Sequence, residues 1–245
     1  TVKSGSVLEL NAEDAISKST VISVEPEATL RANADQTLSS STTNGSLSVT
    51  GTQKKGIGNI HISESATVTT EGYADLSGSV TGRGNLLLKH PARFLADNSL
   101  TGTVTVDFDQ GLTKTFTSNS PPAVDVNAVG ALKDVGLIQI RNGIIKIGAG
   151  AQKLSKSTDA ASRGALPIAG RLVLAPRAPE PSNKTAPQEQ IAARLELRSN
   201  QSVGSIDARA GSEIEIGGDL SLTITGKDGR ESTIATGIVG YALVL

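Results

Sequence analysis

The sequence predicts an all-β protein built as a solenoid of about ten short, stacked coils. Three observations favour this fold class. Short runs alternate apolar and polar residues, which is the period of a β-strand. One segment of the chain recurs loosely further along the sequence, as stacked coils require. The interior must be filled by small aliphatic side chains, because aromatic residues make up only 2% of the 245 residues and Cys, Met and Trp are absent.

The recurring segment begins at Leu30 and again at Leu195. Each copy is an apolar/polar alternation, an Asx-Gln pair, a second alternation and a glycine turn. A shorter match relates residues 15–24 to residues 131–140. A solenoid favours such repetition, because each coil presents the same stacking surface to its neighbours. With about 20 to 25 residues and about 4.8 Å per coil, ten coils would form a rod on the order of 50 Å long.

Period-two alternation predicts strands along the whole chain, separated by turns rich in Gly, Asn, Asp and Ser. The best helical candidate, residues 186–197, is rejected because its apolar residues stop too soon. The chain is therefore expected to be all-β. The predicted strands span residues 7–10, 21–25, 46–50, 59–63, 67–70, 85–89, 103–108, 137–140, 144–147, 171–175, 194–198, 212–216 and 220–225.

We expect one structural domain that is a fragment of a larger protein. Residues 1–175 are predicted to form coils, residues 176–190 a proline-rich insertion, and residues 191–245 further coils. The insertion contains four of the nine prolines and almost no apolar bulk, so it cannot pair in a ladder. It is either a plain connection between coils or a binding loop, since solenoids place insertions on their outer surface.

Charge and hydropathy exclude two classes of partner. The 23 Lys and Arg residues nearly balance 24 Asp and Glu, and no basic stripe with stacking aromatics indicates a nucleic-acid binder. No apolar run approaches the roughly 20 residues needed to cross a bilayer, so no membrane insertion is expected. The first residues do not form a signal peptide and the chain lacks Met, which favours a processed piece of a longer chain. Absence of Cys is compatible with export through an oxidising compartment.

A repeat pattern links several of these segments. Residues 82–88 form a glycine-rich turn and an apolar strand, and residues 98–106 supply an Asn-x-x-x-Gly step and a Val-x-Val strand. A related pattern runs through residues 200–226. It resembles the passenger-associated repeat of bacterial autotransporters, the type V secreted proteins, over most of residues 5–240, with an interruption at 150–192. The resemblance implies a right-handed parallel β-helix outside a Gram-negative cell.

The sequence also departs from that family pattern. Leu100 stands where the family repeats usually have Tyr or Phe, and residues 107–110 and a Pro121-Pro122 pair are inserted before the next coil. Two Tyr and three Phe cannot supply the aromatic girdles of an outer-membrane barrel. The family's C-terminal barrel would therefore lie outside these residues.

The function expected from this resemblance is that of a non-enzymatic passenger segment, either an adhesin or autoaggregation surface or a structural stalk. It would lie at the cell surface or be secreted across the outer membrane, and its partners would be proteins or glycans of host or sister cells. Two alternatives stay open. One is a polysaccharide-cleaving β-helix enzyme, and the other is the stalk of a passenger whose protease domain precedes Thr1.

Two histidines are the only candidates for the base of a serine protease. His61 lies between Ile60 and Ile62, so strand alternation predicts that it faces outward. His90 precedes Pro91 and is expected in a turn. Since no Gly-x-Ser-x-Gly elbow accompanies them, neither is expected to be catalytic.

Two pairs of carboxylates have the spacing that a glycosidase could use. Asp107 and Asp109 are two residues apart, as are Glu213 and Glu215, so each pair is predicted to face one side of a strand. The aromatic residues that would grip a sugar are nearly absent, and paired acids are common on solvated sheets. We therefore expect no catalytic residue.

Cofactors and metals are not expected either. Two His and no Cys exclude the usual zinc sites. Residues 217–219 (Gly-Gly-Asp) are a single fragment of the calcium-binding nonapeptide. Residues 148–150 (Gly-Ala-Gly) lack the Lys and Ser/Thr of a phosphate-binding loop. Ligand-binding residues stay unassigned, with the proline-rich insertion as the first place to look.

Overall fold

In the computed structural model, the described residues are 1–17, 22, 24–39, 57–76, 78–109, 122–128, 130–148, 165–177, 193–239 and 243–244. All their regular structure is β-strand, and none of them lies in a helix, which confirms the all-β prediction. The strands are β1 Val7–Leu10, β2 Val24–Ala32, β3 Gln36–Ser39, β4 Ile57–Ile62, β5 Thr67–Glu71, β6 Ala74–Leu76, β7 Val80–Gly82, β8 Asn85–Leu88, β9 Ala92–Phe94, β10 Ser99–Leu100, β11 Thr103–Asp107, β12 Ala123–Val126, β13 Leu137–Ile147, β14 Arg171–Leu174, β15 Ala193–Leu197, β16 Gln201–Val203, β17 Ser205–Ala208, β18 Glu213–Ile216, β19 Leu222–Ile224, β20 Thr233–Ile234, β21 Gly237–Val239 and β22 Leu243–Val244.

The paired strands run parallel and form three stacks, which we call ladders A, B and C. Ladder A starts at the Val2–Val24 bridge and continues through β4, β6, β9, β12, the end of β13, β15, β18 and β21. Ladder B consists of β3, β5, β8, β11, the start of β13, β14, β17 and β20. Ladder C contains β1, the ends of β2 and β4, β7 and β10, and then β16, β19 and β22.

The chain visits the ladders in a constant order. From each strand of ladder A it passes to ladder C, then to ladder B, and then to the next level of ladder A. Between β10 and β16, no described residue forms a strand of ladder C, and residues 130–136 and 165–170 lie there as turns and bends. The Leu132 N–H donates to the Ala165 carbonyl at 3.1 Å, and the Leu166 N–H donates to Gln201 Oε1 at 3.2 Å. These bonds join the two parts of ladder C.

The core lies between the ladders, because every second strand residue points inward. Aliphatic side chains of one ladder therefore stack in register, as Leu86, Val104, Ile138, Leu172 and Ile206 do in ladder B. All five are at most 1% exposed. Each fully buried side chain of this size contributes about 1.5 to 3 kcal/mol relative to an exposed one, so the stacks supply the main stabilisation.

Glycines form a column at the corner between ladders C and B, which we call the glycine corner. Here the backbone of one level lies directly against the next. The Gly136 N–H donates to the Gly102 carbonyl at 3.1 Å and the Gly204 N–H to the Gly170 carbonyl at 2.9 Å. A Cβ on Gly102 would lie 1.9 Å from the Gly84 carbonyl oxygen. Any other residue at this position would force the levels apart.

Polar side chains complete the backbone hydrogen bonds at the corner between ladders A and C. Asn59 Oδ1 accepts from the Ser79 N–H at 3.0 Å, and Asn200 Oδ1 accepts from the Ser221 N–H at 2.9 Å. Buried Asn98 accepts from Val80 N–H at 2.6 Å on one side and donates to a carbonyl on the other. An Asn in a turn can therefore bond to both neighbouring levels, which explains the abundance of Asn in these turns.

The two copies of the sequence repeat do not occupy equivalent places. Leu30 lies in ladder C, between Leu8 and Ile60, whereas Leu195 lies in ladder A. In the shorter match, Val24 aligns with Ile140 of β13. Val24 lies in ladder A and Ile140 in ladder B. All three ladders have the same apolar/polar alternation. A sequence alignment can therefore match a strand of one ladder with a strand of another. The structural repeat is instead carried by glycines 102, 136, 170 and 204, which follow one another at intervals of 34 residues.

Most predicted strands are confirmed with shifts of one or two residues at their ends. The predicted strands 137–140 and 144–147 form one continuous strand, β13. Short strands such as β6 and β9 were missed because three residues show too little alternation. Predicted strand 46–50 lies outside the described residues.

Of the predicted insertion, the structure describes residues 176 and 177, and neither lies in a strand. Residues 178–190 of the predicted insertion lie outside the described residues. Strands β13 and β15, on either side of it, pair directly through Ile145 and Leu195. Strand β14 lies within the region 150–192 where the family pattern is interrupted, yet it belongs to ladder B. None of the described residues forms a helix long and apolar enough to cross a membrane.

Replacing a glycine of the corner tests its role. We expect Gly102→Ala to destabilise the fold by about 3 kcal/mol, because the new Cβ overlaps a backbone carbonyl that cannot move without breaking the ladder. Gly218→Ala is the matched control, since a Cβ there meets nothing within 4 Å. Urea unfolding followed by circular dichroism measures both variants. Equal stability of the two would contradict a tight backbone contact.

Candidate functional site

Six outward side chains of ladder A lie in one row, which we call the charge row. Successive strands place them in register, one per level, over a length of about 24 Å at ~4.8 Å per level. The first five alternate in sign. The row consists of Asp75, Arg93, Asp125, Lys146, Glu196 and Glu215.

One end of the row is fixed by a forked ion pair. Arg93 donates from Nε and a terminal nitrogen to the two oxygens of Asp75, at 2.6 and 2.5 Å. The hydrogen bond to Asp75 raises the pKa of Arg93. The guanidinium also lies 5.6 Å from the centre of the Tyr73 ring. Burial, together with the neighbouring Asp75 carboxylate, raises the pKa of Tyr73 to about 12, so this phenol stays neutral at physiological pH.

The other end of the row contains a buried carboxylate surrounded by cations. The Glu196 side chain is only 5% exposed, and its oxygens lie 3.0 Å from Arg198, 3.4 Å from Arg194 and 3.9 Å from Lys146. Arg194 also donates a hydrogen bond to Glu215. Burial opposes the charge of Arg194, but the Glu215 hydrogen bond and the nearby carboxylates raise its pKa. The cations of this network therefore compensate the charges of its carboxylates.

Asp125 lies in the middle of the row with a different environment. It is half-buried between Arg93 and Lys146, which bind Asp75 and Glu196 respectively. Within the described part of the chain, its carboxylate makes no hydrogen bond or ion pair. Burial raises the pKa of Asp125 above 3.8, although the two cations oppose this effect.

The two predicted acid pairs have different outcomes. Glu213 and Glu215 do share the outer face of β18. Arg194 lies 3.7 Å from Glu213 and is hydrogen-bonded to Glu215, so one guanidinium serves both carboxylates. Both carboxylates therefore have the same cation as a partner, whereas glycosidase chemistry needs two carboxyl groups in different environments.

The prediction that Asp107 and Asp109 share a strand face is wrong. Strand β11 ends at Asp107, where the register with β13 shifts, so alternation does not continue. The Asp107 side chain is 8% exposed and accepts a hydrogen bond from Arg177 at 2.6 Å. Asp109 is exposed beyond the strand, 3.9 Å from Lys89 and 3.7 Å from His90. The two carboxylates therefore have separate partners.

The histidines lie where the sequence predicts. His61 faces outward on ladder C, between buried Ile60 and Ile62, with Nδ1 3.1 Å from Thr81 Oγ1. His90 lies in a bend at the corner between ladders B and A. Burial lowers the pKa of His90, although Asp109 partly opposes this. The structure brings His90 close to Asp109, whereas His61 lies apart from this corner, on ladder C.

The remaining motifs lie in turns. Within the described ranges, no group of three or more His, Cys, Asp or Glu side chains could hold a metal ion. Residues 217–219 connect β18 to β19, and Asp219 has a positive φ of 59°. Gly148 follows β13, while residues 149 and 150 of the same motif lie outside the described residues.

Sequence reasoning missed the charge row because its members are 18 to 50 residues apart along the chain. A local signal was present nonetheless. Each member is the centre of an apolar-charged-apolar triplet, which places the charge outward between two core residues. The triplets are 74–76, 92–94, 124–126, 145–147, 195–197 and 214–216.

No family model, curated protein or solved structure matches this chain.

Removing the shared cation tests the network. We expect Arg194→Ala to cost about 2 kcal/mol, between the values of exposed and buried ion pairs, because Glu196, Glu213 and Glu215 lose a common partner. Arg31→Ala is the control, since Arg31 and its partner Glu9 are both more than 40% exposed, and it should cost less than ~0.5 kcal/mol. Denaturant unfolding at low salt measures both. A larger effect at Arg31 would contradict the network.

The pH dependence of stability tests Asp125. Because its pKa is raised in the folded state, its charged form costs stability once the pH exceeds that pKa. We expect Asp125→Asn to melt at a higher temperature than the parent at neutral pH. This advantage should disappear below pH 3.8, where Asp125 is protonated in both the folded and the unfolded parent. Thermal melts across this range measure the effect. Exposed Glu64→Gln should show no such advantage, and a lower melting temperature of Asp125→Asn at neutral pH would contradict the assignment.

Proposed function

We propose that this chain is a right-handed parallel β-helix of about ten coils that acts as a non-enzymatic passenger segment of an autotransporter. The constant ladder order A, C, B supports the helix, because a chain that repeats this circuit climbs one level per turn. Ladder A contains ten successive levels. Connections between parallel strands are nearly always right-handed, which supports the handedness.

Dimensions favour a spacer or contact surface. Nine strand spacings give a length of about 43 Å, around a narrow core of small aliphatic residues. Neighbouring coils pair strand by strand, so one narrow core continues along the rod. Such a rod would serve as a stalk or as an adhesive or autoaggregating surface, facing proteins or glycans of host or sister cells.

The charge row is the observation that carries the non-enzymatic proposal. Its six side chains lie along one sheet face, where three of the four carboxylates form ion pairs with cations of the row or with adjoining Arg194 and Arg198. A catalytic site needs reactive groups that converge on one substrate atom and differ in protonation. The row instead favours a broad polar surface, where many weak contacts add up along the rod.

A polysaccharide-cleaving β-helix is the second candidate, because Glu213 and Glu215 share one sheet face. Arg194 disfavours this enzymatic candidate, because the same guanidinium forms ion pairs with both carboxylates. A stalk of a protease-bearing passenger would have the same fold, and the full reading frame distinguishes that case through an upstream globular domain.

Two measurements test the proposal. We expect small-angle X-ray scattering to give the profile of a rod about 43 Å or more in length, and we expect no hydrolysis of polysaccharide or peptide libraries. Turnover that is abolished by Glu213→Ala or Asp107→Ala would overturn the non-enzymatic role. Surface labelling of cells that express the full reading frame tests display, and labelling only after lysis would overturn it.

A further inference from the structure

An exposed asparagine lies at the corner between ladders A and C, directly before strand β16. Asn200 begins the tripeptide Asn200-Gln201-Ser202, which has the Asn-x-Ser/Thr pattern of an N-glycosylation acceptor. The sequence contains two further tripeptides of this pattern, at 44–46 and 183–185, and both lie outside the described residues. Asn200 is therefore the acceptor asparagine whose surroundings the structure describes.

The side-chain amide of Asn200 has a fixed orientation. Its Oδ1 accepts hydrogen bonds from the Ser221 N–H at 2.9 Å and from the Ser221 hydroxyl at 3.3 Å. Because a backbone N–H can only donate, the amide atom that faces it must be the oxygen and not the nitrogen. Asn200 is exposed, and its Nδ2 makes no hydrogen bond with any described residue. The nitrogen that would carry a sugar is therefore accessible.

Strand alternation places the asparagine and the serine of this tripeptide on the outer side. Gln201 between them is 3% exposed and points inward. Its Oε1 accepts from the Leu166 N–H at 3.2 Å, and its Nε2 donates to Ser199 Oγ at 2.7 Å. Ser202 is half-buried on the outer face of β16, in register with Thr223. Within the described part of the chain, the Ser202 hydroxyl has no hydrogen-bond partner.

Two other asparagines of this corner provide a comparison. Asn59 also accepts a hydrogen bond from a backbone N–H of the next level, but His61 stands two positions further on. Asn98 is buried, and its Nδ2 donates to a backbone carbonyl at 2.9 Å. Of these three asparagines, Asn200 alone combines a free Nδ2 with a hydroxyl residue two positions further on.

We propose that Asn200 is a glycosylation site, at which a transferase links the sugar of a sugar nucleotide to Nδ2. In this step Nδ2 forms a bond to the anomeric carbon of the sugar and gives one proton to a base of the transferase. The bond between that carbon and a phosphate oxygen breaks. The nucleoside diphosphate leaves with the electron pair, so the step needs no oxidant or reductant.

The folded solenoid can accommodate this product. Glycosylation replaces one hydrogen of Nδ2 and leaves Oδ1 unchanged, so the hydrogen bond from the Ser221 N–H to Asn200 is retained. The same addition at Asn98 would place a sugar in a buried corner. The site goes beyond the proposed passenger role. Because the modification is detected on one peptide, its absence would leave that role standing.

Peptide mapping of the protein, purified from the cells that naturally produce it, tests the proposal. Trypsin cleaves after Arg198 and Arg209 and releases residues 199–209, in which Asn200 is the only asparagine. We expect tandem mass spectrometry to locate a sugar on Asn200. A peptide that is entirely unmodified, or one whose sugar lies on a serine, would overturn the proposal.

Variants of the acceptor tripeptide separate recognition from folding. Ser202→Ala should abolish the modification and Ser202→Thr should retain it, because the pattern requires a hydroxyl at this position. Thr223→Ala is the matched control, since Thr223 lies beside Ser202 in ladder C but belongs to no acceptor tripeptide, and it should leave the modification unchanged. All three variants should melt near the parent temperature, because both side chains lie on the outer face. A sugar that persists on Asn200 in Ser202→Ala, or that is lost in folded Thr223→Ala, would contradict recognition of this tripeptide.

Discussion

Close backbone approach at the glycine corner is the constraint on which the rest of the structure depends. The N–H of one glycine donates directly to the carbonyl of the glycine one level below, as between Gly204 and Gly170. No Cβ fits between them. This contact fixes the spacing of the levels and the register of every ladder B strand that follows a glycine. Register in turn decides which side chains stack in the core and which point outward.

Fixed register turns single outward residues into rows. Along ladder A, cations lie beside most carboxylates of the charge row, and Glu196 can be buried because three cations surround it. Because the strands are in register, each outward side chain lies beside the outward side chains of the levels above and below it.

Core packing also depends on the strand register, with a few exceptions. Phe108 is fully buried at the turn between ladders B and A, and the next level accommodates it with Gly143, where a Cβ would meet the ring at 2.8 Å. The adjacent bulge ends the alternation at Asp107. That bulge is why the two aspartates 107 and 109 do not share a face, although their spacing predicts it. Glu213 and Glu215, inside an unbroken strand, follow the prediction.

The sequence by itself determined the all-β class, most strand positions and the outward direction of His61, because these follow from the period of the chain within a few residues. Only the tertiary structure decided which strands are neighbours. Leu30 and Leu195 have the same local pattern yet lie in different ladders. Asp75 and Glu215 are distant in sequence but belong to one row. The physical reason is that local alternation sets which side of a strand is buried, whereas loops of unequal length and backbone bonds between levels set the register.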